Sequence, residues 1–216
     1  METIAIDTVD GIHIVGDYHE GASSKGALLL HMMPSDRKSW TAFAEKLASR
    51  GYHVLAIDLR GHGDSVEGPS GKLDYHSFSN EEHASSIHDV EAGAEFLSTK
   101  GADSLVLAGA SIGANLALWH AARNPRGVEN LILLSPGLDY KGIATEPLMI
   151  KIEPNIDIML VSGGTEDAYS QETVKKLANL VNLKTPPRIF EDSGHGTRIF
   201  ERHPEFMEEL IQWLEK

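Results

Sequence analysis

The sequence predicts an α/β protein with a mostly parallel central sheet of about eight strands and helices on both faces. From about residue 26 onward, short apolar runs alternate with amphipathic stretches, the pattern of successive strand–helix–strand units. The apolar runs lack polar alternation, so they predict strands covered on both faces. Residues 2–8 and 12–18 do alternate, around Asp10-Gly11, and predict an antiparallel hairpin at the N-terminus.

Each further element follows from a local signal. Apolar runs predict strands over residues 27–31, 53–57, 104–108, 128–134, 158–161 and 188–190. Ser39 is a candidate N-cap for a helix that carries Trp40, Phe43 and Leu47. Ser79 and Glu82 form a capping box before a helix that extends to Leu97. Apolar residues at helical spacing predict further helices over 112–119, 174–181 and 204–214.

Composition narrows the functional class. A chain of 216 residues fits one domain, residues 1–216, with a substantial core. A net charge of −13 argues against nucleic acid or an anionic membrane as a partner. The absence of cysteine excludes disulfides, thiolate metal sites and a cysteine nucleophile. Residues Met1–Asp7 lack signal-peptide features, and no apolar run reaches transmembrane length, so we expect a cytoplasmic protein. We also expect a monomer or small homo-oligomer that needs no cofactor or metal.

The most informative motif is Gly109-Ala110-Ser111-Ile112-Gly113, which follows a predicted strand and opens a predicted helix. A serine at such a junction sits on a sharp turn, and flanking glycines remove Cβ atoms that would collide with the strand and the helix. The helix start directs unpaired N–H groups and a positive dipole end at the serine. Taken alone, the motif also fits a tight turn in which Ser111 is a small filler or an N-cap.

Two other loops place an acid and a base at the same predicted edge, because the carboxyl ends of parallel strands lie together. Asp167 follows the strand at 158–161, and His195 follows the strand at 188–190. A serine hydroxyl needs a base to take its proton, and the base needs a carboxylate to orient it. The order serine, aspartate, histidine therefore predicts a catalytic triad of Ser111, Asp167 and His195.

The acid has two rivals in the sequence. Glu166 is the neighbour of Asp167, and Asp139 follows the preceding strand, from which a carboxylate could also reach the base. The glycine-rich turn at Gly163-Gly164 favours Asp167, since it provides a short, fixed approach. Among the 11 histidines, His195 is the one that follows the last predicted strand.

With two further segments, these motifs make the chain resemble the α/β-hydrolase fold superfamily, specifically its small capless serine esterases. The resemblance covers nearly the whole chain. It depends on His31-Met32-Met33-Pro34, Asp58–Ser65, Gly109–Gly113, Gly164–Asp167 and Gly194-His195-Gly196. In this fold the segment Asp58–Ser65 is interpreted as a structural turn whose carboxylate and guanidinium brace neighbouring loops.

The resemblance implies an oxyanion hole made by the backbone N–H groups of Ile112 and Met33. Such donors contribute about 3–4 kcal/mol each in comparable sites. The family commonly has glycine where this chain has Met32, which leaves open which backbone donor points inward.

The interval 136–157 is too short for the multi-helix cap of larger relatives, although it allows a loop or a single helix. Met32, Leu148 and Met149 are candidates for an apolar substrate pocket. The resulting hypothesis is hydrolysis of small carboxylic esters with short acyl chains through an acyl-enzyme intermediate. A thioesterase or an amidase or peptidase would use the same residues, and a non-catalytic small-ligand-binding protein on this scaffold is the alternative of a different class.

Overall fold

A computed structural model describes all 216 residues. The strands are β1 (Glu2–Asp7), β2 (His13–His19), β3 (Lys25–Leu30), β4 (His53–Ile57), β5 (Glu67–Gly68), β6 (Gly71–Lys72), β7 (Ser104–Ala110), β8 (Val128–Leu134), β9 (Asp139–Tyr140), β10 (Ile143–Ala144), β11 (Asp157–Gly163) and β12 (Arg188–Phe190). The α-helices are α1 (Thr41–Ser49), α2 (Asn80–Ala84), α3 (Ile87–Thr99), α4 (Ile112–Arg123), α5 (Glu146–Met149), α6 (Ala168–Ala178), α7 (Arg198–Arg202) and α8 (Glu205–Leu214). Short 3₁₀ turns cover Arg37–Trp40, Tyr75–Ser77 and Thr165–Asp167.

The main sheet has the order β12-β11-β8-β7-β3-β4-β2-β5-β6, and β1 also pairs with β2. The six strands from β4 through β3, β7, β8 and β11 to β12 are parallel. The β1–β2 and β2–β4 pairs are antiparallel. The predicted parallel sheet with its N-terminal hairpin is therefore confirmed. The two-residue strands β5 and β6 are not among the strands predicted from the sequence.

Two apolar cores lie on opposite faces of this sheet, and the central strands β3, β4, β7, β8 and β11 contribute to both. On β3, Leu28 and Leu30 pack into the core beneath α3, α4 and α6, whereas Ala27 and Leu29 pack into the core beneath α1, α7 and α8. This alternation explains why the central strands are apolar at nearly every position. None of the helices is both long and apolar enough to cross a bilayer.

Two predicted helix starts have different outcomes. The capping box forms: Ser79 Oγ accepts the N–H of Glu82 at 3.2 Å, and Glu82 Oε2 accepts the N–H of Ser79 at 2.7 Å. The helix that it begins ends at Ala84, so α2 and α3 replace one predicted helix. The prediction for Ser39 is wrong, because Asp36 caps the 3₁₀ turn before α1 by accepting the N–H of Lys38 at 2.8 Å.

The interval 136–157 forms the β9–β10 hairpin and the short helix α5 in place of a larger cap. The buried side chain of Asn115, on α4, fastens this segment to the body of the protein. Its Nδ2 donates to the carbonyls of Gly137 at 3.1 Å and Ile143 at 2.8 Å, and its Oδ1 accepts the N–H of Gly137 at 3.1 Å. The segment is thereby held above the start of α4.

Candidate active site

Ser111 occupies the sharp turn between β7 and α4. Its backbone has φ 54° and ψ −120°, in the positive-φ region that few non-glycine residues adopt. A Cβ on Gly109 would lie 2.1 Å from the carbonyl oxygen of Gly113, and one on Gly113 would lie 2.4 Å from that of Leu30. Both flanking positions therefore require glycine, because α4 packs directly against the strands.

Asp167 and His195 form a hydrogen-bonded pair at the same edge of the sheet. His195 Nδ1 lies 2.7 Å from Asp167 Oδ1. The aspartate side chain is 5% exposed and the histidine side chain 30% exposed. An ionised carboxylate can only accept, so Nδ1 carries the proton and donates it to Asp167. This tautomer leaves Nε2, on the opposite side of the ring, free to accept a proton.

The two rival carboxylates lie elsewhere. Asp139 is exposed at the start of the β9–β10 hairpin, where its Oδ1 accepts the N–H of Gly142 at 2.8 Å and closes the turn. Glu166 is exposed beside Asp167. Neither carboxylate is hydrogen-bonded to His195, so the structure pairs this histidine with Asp167.

Tyr140 lies between the loop that carries His195 and the turn that carries Ser111. Its ring packs edge-on against His195, with ring centroids 6.4 Å apart, and its hydroxyl faces Ser111 and Ser170, with the Ser170 Oγ at 3.2 Å. Burial raises the pKa of Tyr140, so its hydroxyl stays protonated. Sequence reasoning missed this residue, although it follows the rival acid Asp139 directly.

A second residue that the sequence did not reveal is Ser135, directly after β8. Its Oγ lies 2.6 Å from Asp167 Oδ2 and 2.8 Å from the backbone nitrogen of Gly196. The available signal was a hydroxyl at the carboxyl end of a parallel strand, the same edge at which the acid and the base were sought.

His31 orients the loop that follows β3. It is fully buried, and its Nε2 accepts the N–H of Leu59 at 2.9 Å. Its Nδ1 therefore carries the proton and donates it to the carbonyl of Met32 at 2.9 Å. The C=O and N–H of a trans peptide point in opposite directions, so the N–H of Met33 is turned away from His31. The N–H of Ile112, at the start of α4, has no partner within its helix.

The structure separates the predicted pocket residues. Met32 is largely buried, with its Sδ 4.0 Å from Thr197 Oγ1 and packed beneath the loop of the base. Met149 is fully buried in the core beneath α3, α4 and α6. Both side chains therefore contribute mainly to the interior, and their assignment to a substrate pocket stays a prediction. Leu148 and Met33 are half-buried and pack against the edge of that core, as does Tyr140.

Two buried histidines, His31 and His62, should lower the free energy of unfolding at acidic pH. Burial lowers the pKa values of His31 and His62 to about 4, whereas an unfolded chain titrates histidine near 6.5. Their contribution to the free energy of unfolding is complete above about pH 6.5 and is lost as the pH falls towards 4. In this range the unfolded chain binds protons at these histidines and the folded protein does not. Burial raises the pKa of Asp89 to about 6, which acts in the opposite direction.

The variant His62→Phe isolates one of these contributions. Urea unfolding between pH 7 and pH 4.5 should show that the variant loses about 2–3 kcal/mol less stability than the parent over this range. Phenylalanine keeps the stacking on Tyr75, whose ring centroid lies 3.8 Å from that of His62. Parallel pH curves for parent and variant would show that His62 titrates normally in the folded protein.

Comparisons with known proteins agree with this architecture. Residues 28–195 match the family described as alpha/beta hydrolase fold, and the chain belongs to that family. Among solved structures, an esterase from Pyrococcus furiosus is 20% identical with a TM-score of 0.78, the match covering 99% of this chain and 91% of the esterase. The esterase RhEst1 from Rhodococcus is 17% identical with a TM-score of 0.79, covering 100% and 99%. At these identities the similarity shows the fold.

Curated relatives are longer than this chain. The monoacylglycerol lipase abhd6-B of Xenopus laevis is 26% identical over 76% of this chain and 46% of its own length. The pyrethroid hydrolase of Sphingobium wenxiniae is 31% identical over 59% of this chain and 41% of its own length. The chain spans about half the length of the curated relatives that it matches.

Proposed function

We propose that this chain is a serine hydrolase of small carboxylic esters, in which residues 1–216 act as one catalytic domain. The observation that carries the proposal is the pairing of His195 Nδ1 with the buried carboxylate of Asp167 at the edge where Ser111 opens α4. A buried carboxylate that fixes one tautomer of a half-exposed histidine is the arrangement that activates a serine. The names of the relatives, which include esterase, lipase and hydrolase, support the same class.

In the proposed reaction, Ser111 Oγ attacks the ester carbonyl while His195 Nε2 takes the serine proton. Asp167 stabilises the imidazolium that forms. The backbone N–H groups of Ile112 and Met33 donate to the oxyanion, each contributing about 3–4 kcal/mol. The imidazolium then protonates the leaving alkoxide, and the acyl group remains on Ser111. Water, deprotonated by His195, attacks the acyl-enzyme through the same steps, releases the carboxylic acid and restores the free serine.

A short acyl chain is the preference that the surroundings of Ser111 support. The hydroxyl of Tyr140 faces the serine, and Met33 and Leu148 are half-buried at the edge of the core that contains Ile112. Asn115 fastens the β9–β10 hairpin through three hydrogen bonds. A hairpin held by these hydrogen bonds should not move aside to admit a long acyl chain, so small esters should be preferred.

A hydrolysis screen tests this proposal. Nitrophenyl esters from acetate to laurate are compared with one thioester and one anilide of the best acyl group. We expect the highest kcat/KM for acetate or butyrate, a steep fall for longer chains, and much slower turnover of the anilide. Faster turnover of the thioester or the anilide would reassign the substrate class, and equal turnover of laurate would contradict the short pocket.

A fluorophosphonate probe separates catalysis from binding, because it reacts covalently only with an activated serine. The parent should be labelled stoichiometrically, and Ser111→Ala should not be labelled. An unlabelled parent that turns over none of the esters would indicate a non-catalytic ligand-binding member of the fold.

A further inference from the structure

The hydroxyl of Ser135 contacts both the acid and the loop that carries the base. Ser135 follows β8, is fully buried and has a positive φ of 51°. Its backbone N–H donates to the carbonyl of Val161 on β11 at 2.7 Å. The sheet itself therefore fixes the position of this side chain.

The directions of its hydrogen bonds follow from the chemistry of its partners. A backbone N–H can only donate, so Ser135 Oγ accepts from Gly196 at 2.8 Å. An ionised carboxylate can only accept, so the hydroxyl proton goes to Asp167 Oδ2 at 2.6 Å. One hydroxyl thus ties the loop after β11 to the loop after β12.

The two carboxylate oxygens of Asp167 have different hydrogen-bond partners. Oδ2 accepts from Ser135 and from the N–H of Gly163 at 3.2 Å, which fixes the plane of the carboxylate. Oδ1 remains for His195 Nδ1. Because Gly196 directly follows His195, the hydroxyl that orients the acid also holds the backbone of the base.

We propose that Ser135 is a positioning residue of the proton relay: its hydroxyl holds Asp167 and His195 in register and draws part of the carboxylate charge away from the imidazole. The proposal rests on the proposed function, since the register of the relay matters only if Ser111 is the nucleophile. Ser135 acts through Asp167 and His195 and not on the substrate.

The test compares Ser135→Ala with Ser162→Ala in steady-state hydrolysis of the best ester. Ser162 is equally buried on β11, but its Oγ has no hydrogen-bond partner, so the matched control removes the same atom without touching the relay. Ser135→Ala should lower kcat about 10- to 100-fold and change KM by less than about twofold. Ser162→Ala should match the parent, and Ser135→Cys, which keeps a weak donor, should be intermediate.

The pH profile separates positioning from simple loss of structure. The acid limb of kcat/KM should move to higher pH in Ser135→Ala, because the carboxylate then keeps more of its charge for the imidazolium. An unmoved acid limb with kcat within about twofold of the parent would overturn the proposal. A fall in kcat that only follows a lower folded fraction, measured by thermal unfolding, would also overturn it.

A measurement without substrate keeps this proposal distinct from the proposed function. Proton NMR measures how fast the Nδ1 proton of His195, which is hydrogen-bonded to Asp167, exchanges with water. This exchange should be at least about tenfold faster in Ser135→Ala than in the parent or in Ser162→Ala. A parent that hydrolyses no ester would contradict the proposed function. Equal exchange rates in the three proteins would, independently, contradict the positioning role of Ser135.

Discussion

Replacing Ser111 with alanine should lower kcat for the best ester by about 10⁴- to 10⁶-fold, with little change in KM or in thermal stability. The variant loses only the hydroxyl oxygen of Ser111, which is the nucleophile in the proposed reaction. Alanine adopts the same backbone conformation at the same cost as serine, and Gly109 and Gly113 still allow α4 to approach the strands. Stopped assays with high enzyme concentration measure the residual rate, and active-site titration of the parent corrects for inactive protein.

The relay should also behave as one unit. His195→Ala should cost about as much as Ser111→Ala, and the double variant should cost no more than either, because each change alone abolishes proton transfer from the serine. His203→Ala is the matched control, since this histidine contacts Glu205 and the ring of Phe190, has no hydrogen bond to Ser111 or Asp167, and should retain full activity. A double variant that multiplies the two losses would mean that Ser111 and His195 act independently.

The strands and the pairing of Asp167 with His195 could be predicted because the signals for them are local and the place where the two side chains meet follows from topology. The run at 128–134 ends in four consecutive apolar residues, Leu131–Leu134, and becomes β8 with the same bounds. Asp167 and His195 lie 28 residues apart, yet the carboxyl ends of β11 and β12 must share an edge because these strands pair in parallel. Residue type at a strand end was therefore enough to predict the pair.

The hydroxyl network could not be predicted, because its partners are distant in sequence and its residue types are common. Ser135 meets Asp167 across 32 residues and Gly196 across 61, and nothing in its own neighbourhood distinguishes it from any other serine after a strand. Whether Met32 and Met149 line a pocket could not be predicted either, for another reason. Methionine fits equally well inside an irregular core and along a pocket, so the path of the loop decides which way it faces.

Replacing Asp58 with alanine should cost about 3–5 kcal/mol of unfolding free energy, the largest stability effect that we predict for a single side chain. Asp58 is fully buried and forms an ion pair with the guanidinium of Arg37. It also accepts the backbone N–H groups of Arg37 at 2.7 Å and Asp64 at 2.8 Å. Its removal leaves two backbone donors without their acceptor and takes away the only fully buried carboxylate of the three that pair with Arg37. This expectation follows from the interpretation of Asp58–Ser65 as a structural brace.

Urea unfolding at pH 7 measures this loss, and two variants separate its causes. Asp58→Asn keeps an acceptor oxygen and should lose less than Asp58→Ala. Asp64→Ala removes a side chain that is 63% exposed and pairs with Arg37 at 2.9 Å, so it should cost less than about 1 kcal/mol. Because Arg37 follows the loop that carries Met33, Asp58→Ala should also lower kcat in the fraction that remains folded. An unchanged free energy of unfolding in Asp58→Ala would contradict this prediction. It would show that the ion pairs of Arg37 with Asp17, at 3.0 Å, and with Asp64 are sufficient to hold the loop after β3 without the buried carboxylate.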